Sequence, residues 1–125
     1  MGRNSEIVES FTSAWQRQDV DEILDFFSDD AIYVNVPIDP PNRGKDAIRT
    51  AIEGFIGMAS QIEFVVHHQG EGADGRVYNE RTDRFKIGEN WLELPVMGIF
   101  ELADGKISGW RDYFDMGMFT RQMPQ

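Results

Sequence analysis

Three groups of polar residues in this sequence are of types that could perform acid–base chemistry. Arg81 and Asp83 lie two positions apart in a run typical of a β-strand, so their side chains share one face of a sheet. Asp112 is flanked at both second neighbours by aromatic residues, and Tyr33 and Asn35 form another pair two positions apart. Two carboxylates bridged by one guanidinium can hold different protonation states at one pH. One aspartate could then donate a proton while the other accepts one from a water that a hydroxyl and an amide hold.

The same residues also fit a protein in which they have no catalytic role. If the face with Arg81 and Asp83 points to solvent, the two side chains form an ordinary ion pair that contributes little stability. If it points inward, they form a desolvated pair that requires further partners. Asp112 could equally lie at the rim of a sheet, and Tyr33 could be a core tyrosine with a satisfied hydroxyl. Alternation alone does not decide which face is buried.

The spacing of apolar residues predicts the elements that must position these groups. It predicts a first helix over about Ser5–Arg17, a short second helix capped by Asp19, and a third helix that Gly44 opens. Residues 28–30 are predicted to end the second helix, and the β-rich run 31–36 predicts a strand that a proline-rich loop follows.

The second half of the chain is predicted to be four strands joined by hairpin turns, two of which carry Asp-Gly. The predicted strands cover residues 62–69, 76–87, 91–102 and 106–116. Helices followed by an antiparallel meander predict one α+β domain over residues 1–125, with a cone-like cavity between sheet and helices. The apolar residues at the C-terminus are predicted to pack on the mouth of the cone or on a partner subunit.

Composition and charge narrow the class of partner. The chain has 125 residues, of which 41% are hydrophobic, and this suits one folded domain. A net charge of −10 disfavours nucleic acid and anionic membranes as partners. We expect no metal site, because cysteine is absent and the adjacent His67 and His68 of a strand point to opposite faces. No signal peptide or membrane-spanning run is visible, and we predict a cytoplasmic protein.

The polar groups taken together resemble the limonene-1,2-epoxide hydrolase family. Tyr33-x-Asn35, Arg81-x-Asp83 and Asp112 have the order and approximate spacing of that family, and the run GWRDYF around Asp112 is also similar. The resemblance covers nearly the whole chain. It implies an NTF2-like, SnoaL-like or cystatin-like cone, in which a curved, mixed but mostly antiparallel sheet is wrapped by about three N-terminal helices. It also implies a homodimer that uses no cofactor.

The resemblance further implies a role for each polar residue. Asp112 would be the general base, and Tyr33 and Asn35 would hold the nucleophilic water. Asp83 would be protonated and would donate to the epoxide oxygen, while Arg81 would bridge the two carboxylates. The reaction would convert a small hydrophobic epoxide to a vicinal diol in one step, without a covalent intermediate.

An apolar wall is expected to surround the polar set. Each candidate residue fits plain core packing as well as substrate contact. The candidates on or near the same face of the sheet, or on the helices, are Phe85, Leu94, Val96, Phe114, Phe119, Trp15 and Met58.

Two other kinds of function fit the same fold. Ketosteroid isomerase-like and polyketide cyclase-like enzymes also place an acid and a base in such a cone, although a bridge through Arg81 suits removal of a carbon-bound proton less well. A non-catalytic NTF2-like module for ligand binding or dimerisation would leave Arg81 and Asp83 in solvent or as cavity structure only.

Overall fold

Helices and strands of the computed structural model cover most of the chain, and the structure describes residues 2–38 and 40–123. Asp39, in the predicted proline-rich loop, therefore lies outside the described residues. The helices are α1 (Arg3–Ala14), which a 3₁₀ turn (Trp15–Arg17) continues, α2 (Val20–Leu24), α3 (Gly44–Met58) and α4 (Met116–Gln122). The strands are β1 (Phe27–Asn35), β2 (Asn42–Arg43), β3 (Gln61–Glu71), β4 (Val77–Ile87), β5 (Asn90–Ala103) and β6 (Lys106–Tyr113).

All six of these strands form one sheet in the order β2-β1-β6-β5-β4-β3. Strand β1 runs parallel to β6, and every other neighbouring pair is antiparallel. Shifts of register between Val66 and His68 and between Glu101 and Leu102 mark bulges, which bend a sheet. The predicted α+β architecture with a curved, mixed and mostly antiparallel sheet is thus confirmed.

The helices cover the inner face of the sheet, where an aromatic core lies. Phe11 of α1 meets Trp110 of β6 edge to face, with ring centroids 4.9 Å apart. The Tyr33 ring of β1 stacks on the Trp110 ring, nearly parallel to it, with ring centroids 4.2 Å apart. Offset and edge-on aromatic contacts of this kind stabilise a core beyond the area that they bury. The core therefore joins the N-terminal helix to the two parallel strands.

Two N-terminal boundaries differ from the sequence prediction. Strand β1 begins at Phe27, so residues 28–30, which were predicted to end the second helix, lie inside the strand. They fall where the pairing with β6 shifts register between Phe27 and Ile32, and Asp29 and Asp30 are exposed. The predicted loop contains β2, which pairs with Ile32 and Tyr33. Neither feature has a local signal, because partner strands supply the hydrogen bonds.

The C-terminus also differs from the prediction. Strand β6 ends at Tyr113, and the predicted apolar tail contains helix α4, whose first turn is capped because the Asp115 side chain accepts from the Met118 backbone N–H at 3.1 Å. Seven residues that include a glycine give too short a periodic pattern to indicate a helix. Among the described residues, no helix is long and apolar enough to cross a membrane.

Candidate active site

Strand β4 turns the face with Arg81 and Asp83 toward the core, which resolves the ambiguity of the sequence pattern. Side chains at odd positions from Val77 to Phe85 are buried, whereas Tyr78 is exposed. The buried face is the one that packs against the helices, where Phe85 stacks on Phe55 of α3 with ring centroids 5.9 Å apart. Arg81 is 1% exposed, among the largest fully buried side chains of the described chain. A buried guanidinium requires partners.

Two aspartates from different strands are the charged partners of Arg81. Its Nε and Nη2 donate to the two carboxylate oxygens of Asp83, each at 2.9 Å. Nη2 also donates to Asp112 Oδ2 at 2.7 Å. Both aspartate side chains are 6% exposed. The bidentate contact fixes the plane of the guanidinium, and the third bond ties β4 to β6.

Gly98 of β5 provides the space for this bridge. It pairs with Asp112 on one side and with Asn79 on the other, so it lies directly between the strands that Arg81 connects. A Cβ at this position would stand 2.5 Å from Arg81 Nη1 and 2.7 Å from Asp112 Oδ1. The absent side chain is thus what allows the guanidinium to cross β5.

The parallel strand β1 places a hydroxyl and an amide beside Asp112. Asn35 is the register partner of Asp112, and Tyr33 is the partner of Trp110. The Tyr33 hydroxyl donates to Asn35 Oδ1 at 3.2 Å. On the other side, the Trp110 indole N–H donates to Asp112 Oδ1 at 2.7 Å. Asp112 therefore has a fixed orientation, with Tyr33 and Asn35 next to it.

Burial and the neighbouring charges set the protonation of the site. Burial raises the pKa of Asp112 to about 6, and the Asp83 carboxylate adds to this effect, while Arg81 and Trp110 act against it. Burial also raises the pKa of Tyr33 well above its usual range, with a further contribution from Asp112, so this hydroxyl stays neutral. Burial alone would lower the pKa of Arg81, but the two aspartates raise it above its ordinary value.

Four of the five polar residues predicted from sequence line one cavity. These are Tyr33, Asn35, Asp83 and Asp112, while Arg81 lies behind the two carboxylates that it joins. The cavity is narrow, with a volume of about 30 Å³.

The wall of the cavity is apolar and includes most of the residues proposed for it. Met58 does not line this cavity; it is half-buried at the end of α3 and packs against the core. Sequence reasoning missed Ile38, Phe55 and Phe64. Phe55 continues the apolar stripe of α3, a usable signal, whereas Phe64 depends on the pairing of β3 with β4. The predicted residues that line the cavity are Trp15, Phe85, Leu94, Val96, Phe114 and Phe119.

Two polar supports of the site were also missed as functional candidates. Trp110 holds Asp112, and Asn79 accepts from Arg81 Nη1 at 2.9 Å. Both lie two residues from a predicted site residue on the same strand face, so alternation already placed them nearby. The sequence alone did not give the pairing of β5 with β4 and β6, which brings Asn79 and Trp110 to the site.

The fold and the site define an α+β cone of the NTF2-like class, with two carboxylates and one guanidinium on its inner face. An NTF2-like protein of Burkholderia pseudomallei has the same architecture, with a TM-score of 0.85 at 16% identity over 100% of both chains. At this identity the likeness establishes the fold alone, and it confirms the predicted NTF2-like cone.

The chain belongs to the limonene-1,2-epoxide hydrolase family. The model of that family's catalytic domain matches residues 2–125. Epoxide hydrolase EphG of Mycobacterium tuberculosis is 37% identical over 115 residues, which are 87% of this chain and 71% of that protein. The solved structure of an LEH-like epoxide hydrolase of M. tuberculosis has a TM-score of 0.77 at 32% identity, and the match covers 94% of this chain and 86% of that one.

We expect Gly98→Ala to lower the free energy of unfolding by about 1–3 kcal/mol, because the new methyl group overpacks the hydrogen-bonded network. Gly70→Ala is the matched control, since a Cβ on this strand glycine has nothing within 4 Å. It should change stability by no more than about 0.5 kcal/mol. Urea unfolding followed by circular dichroism measures both, and equal stability of the two variants would contradict the described packing.

Proposed function

We propose that this protein is a cofactor-independent epoxide hydrolase that converts a small hydrophobic epoxide to a vicinal diol. The observation that carries the proposal is the placement of both carboxylates of one Arg81-bridged pair, with Tyr33 and Asn35, on the wall of one apolar cavity. Membership of the family and the similarity to EphG support the same chemistry.

Asp112 is the general base in this proposal. Its register partner Asn35 and the nearby Tyr33 offer an amide and a hydroxyl that can orient a water molecule against the carboxylate. A base works best when its pKa lies near the operating pH, and the pKa of Asp112 is raised to about 6. Asp112 would take a proton from the water while the water oxygen attacks an epoxide carbon.

Asp83 is the general acid and faces the same cavity from β4. As the ring carbon–oxygen bond breaks, its proton passes to the ring oxygen, so that the product is a neutral diol. Each turnover thus moves one proton onto Asp112 and removes one from Asp83. A proton must return before the next cycle, while Arg81 stays a cation throughout because its pKa is raised.

The apolar wall favours a hydrophobic substrate. Phe64, Phe85 and Leu94 offer no hydrogen bonds to a polar ligand, whereas they desolvate an apolar ring well. Exclusion of water also strengthens the electrostatic effect of the acid and the base on the epoxide.

Asp112→Asn and Asp83→Asn should each lower diol formation from limonene oxide or cyclohexene oxide by about 10²–10⁴-fold, the usual contribution of one acid or base. Asp104→Asn is the matched control, because Asp104 is exposed in a turn at φ 53°, a conformation that asparagine tolerates. Gas chromatography of the diol and circular dichroism of each variant are the measurements. Full activity in either site variant, or no turnover of any epoxide by the parent protein, would refute the proposal.

The rate should fall on the acid side of pH 6. Asp112 must be ionised to accept a proton, and with a pKa of about 6 its ionised fraction drops tenfold per pH unit below that value. Because the two aspartates share Arg81, the midpoint of the pH profile is a property of both carboxyl groups together rather than of Asp112 alone. A profile of kcat/KM from pH 5 to 8, with circular dichroism at each pH to verify folding, tests this. A flat acid side down to pH 5 would contradict Asp112 as the base.

A homodimer through the outer face of the sheet is also part of this function. Met97 is 48% and Tyr113 is 51% exposed, and the two are register partners on this face. Exposed apolar side chains that lie together are typical of an interface. The cytoplasmic location stays a prediction from the sequence.

Light scattering should give a mass of twice the 14.3 kDa of one chain. Met97→Glu should yield a monomer, because a carboxylate would be desolvated in the interface. Ser13→Glu, on the exposed side of α1, should leave the mass unchanged. A monomeric parent protein would contradict the proposed dimer.

A further inference from the structure

A chain of hydrogen bonds runs from the Arg81 guanidinium away from the cavity to the first helix. Arg81 Nη1 donates to Asn79 Oδ1 at 2.9 Å, and Asn79 Nδ2 donates to Gln69 Oε1 at 3.2 Å. Gln69 Nε2 then donates to the backbone oxygen of Ser5 at 2.9 Å. Asn79 is 1% exposed. The cavity does not include Asn79 or Gln69 in its wall, so neither residue is placed to touch a substrate.

The two ends of this chain fix the direction of every bond in it. Arginine has only donors, so the atom of Asn79 that faces it must be the amide oxygen. The Asn79 amide nitrogen then faces Gln69, which must present its own oxygen there. At the far end, the Ser5 carbonyl accepts only, and it requires the Gln69 nitrogen. A flip of either amide would set donor against donor at one end and acceptor against acceptor at the other.

We propose, on the basis of the hydrolase function above, that Asn79 is a positioning residue which holds the Arg81 guanidinium in the plane that bridges Asp83 and Asp112, with Gln69 fixing Asn79 in turn. Three of the four bonds described for the guanidinium go to the aspartates, and all three are on Nε and Nη2. Asn79 supplies the one described bond to Nη1. It therefore prevents rotation of the head group toward either aspartate alone.

Asn79 lies close to Asp112, the proposed base, as well as to Arg81. Asn79 Oδ1 and Asp112 Oδ1 stand 3.1 and 2.7 Å from the same point, where a Cβ on Gly98 would lie. A neutral amide at this point binds Arg81 without a third negative charge beside the two carboxylates. The other titratable groups facing Asp112 are Asp83 and Arg81 from β4 and Tyr33 from β1.

Two variants of Asn79 separate positioning from simple space filling. Asn79→Leu keeps the number and branching of the side-chain heavy atoms and removes the acceptor, and we expect kcat to fall about 10-fold to 100-fold while KM changes less than about threefold. Asn79→Asp is nearly isosteric and keeps the acceptor but adds a negative charge. We expect it to raise the pKa of Asp112 by about one unit or more, which moves the acid side of the kcat/KM profile to higher pH.

Asn90→Asp is the control for added charge. Asn90 is exposed at the start of β5, and it precedes Gly98 on this strand by eight residues, or about 27 Å at the rise of a strand. This variant receives the same chemical change as Asn79→Asp and should leave both the pH profile and kcat unchanged.

NMR provides readouts that do not depend on turnover. The carboxyl carbon of Asp112, assigned with Asp112→Asn, reports its protonation, and the Arg81 Nε–H resonance reports the guanidinium geometry. If the parent protein hydrolyses no epoxide, the hydrolase function fails, and these two resonances still decide whether Asn79 positions Arg81. Unchanged resonances in both Asn79 variants, with kcat within twofold of the parent where turnover exists, would overturn the inference.

Gln69→Leu tests the hydrogen bond between Asn79 and Gln69, and it takes the place of Asn79→Leu if that variant does not fold. It leaves the Asn79 nitrogen without its partner, so the Arg81 Nε–H resonance should shift in the same direction as in Asn79→Leu but by less. In the double variant the losses of kcat should be smaller than the product of the single losses, because both act through one chain of bonds. If the Arg81 Nε–H resonance does not shift in Gln69→Leu, and the loss of kcat in the double variant equals the product of the single losses, the positioning role assigned to Gln69 is wrong.

Discussion

The desolvated guanidinium of Arg81 is the constraint on which the rest of the site depends. A charge with no access to water is strongly unfavourable unless oppositely charged, hydrogen-bonded groups surround it. This requirement determines residue types on three strands at once: a carboxylate on β4, a carboxylate on β6 and a glycine between them on β5. It also accounts for the contacts of Phe64 and Trp110, whose ring centroids lie 5.1 and 5.9 Å from the guanidinium carbon.

The same constraint makes the site able to exchange protons. Two carboxylates face one cation that does not lose its proton, so full ionisation would leave an uncompensated negative charge beside an apolar cavity. Uptake of one proton by the pair relieves that charge, and the proposed reaction requires this proton on Asp83. Burial and the neighbouring Asp83 raise the pKa of Asp112 to about 6, so that Asp112 can accept a further proton. An arrangement that is costly for stability thus holds a proton at a pH where it can be transferred. Solvated ion pairs on the outer face, such as Arg84 with Glu93, gain no such property.

The sequence allowed the faces of the strands to be predicted, but it did not decide which face is inside. Alternation put Arg81 with Asp83 and Trp110 with Asp112, and the resemblance to a family favoured the inward orientation that the structure has. Gly98 carried no local signal, because its importance comes from pairing with two strands. Phe64 was missed for the same reason, because the pairing of β3 with β4 decides its orientation. Helix α4 was missed because its seven residues give too short a periodic pattern.

The parallel pairing of β1 with β6 separates the two halves of the proposed reaction. An antiparallel meander alone would place acid and base on β4, β5 and β6, with nothing beside Asp112 to hold a water. Because β1 returns parallel to β6, Asn35 comes into register with Asp112, and the groups proposed to hold the water lie on the side of β6 away from β4. Strands β4 and β6 are two sheet spacings apart, about 9–10 Å, and Arg81 Nη2 spans this gap by donating to a carboxylate oxygen of Asp83 and of Asp112. The order of the strands therefore places Tyr33 and Asn35 beside Asp112 rather than beside Asp83.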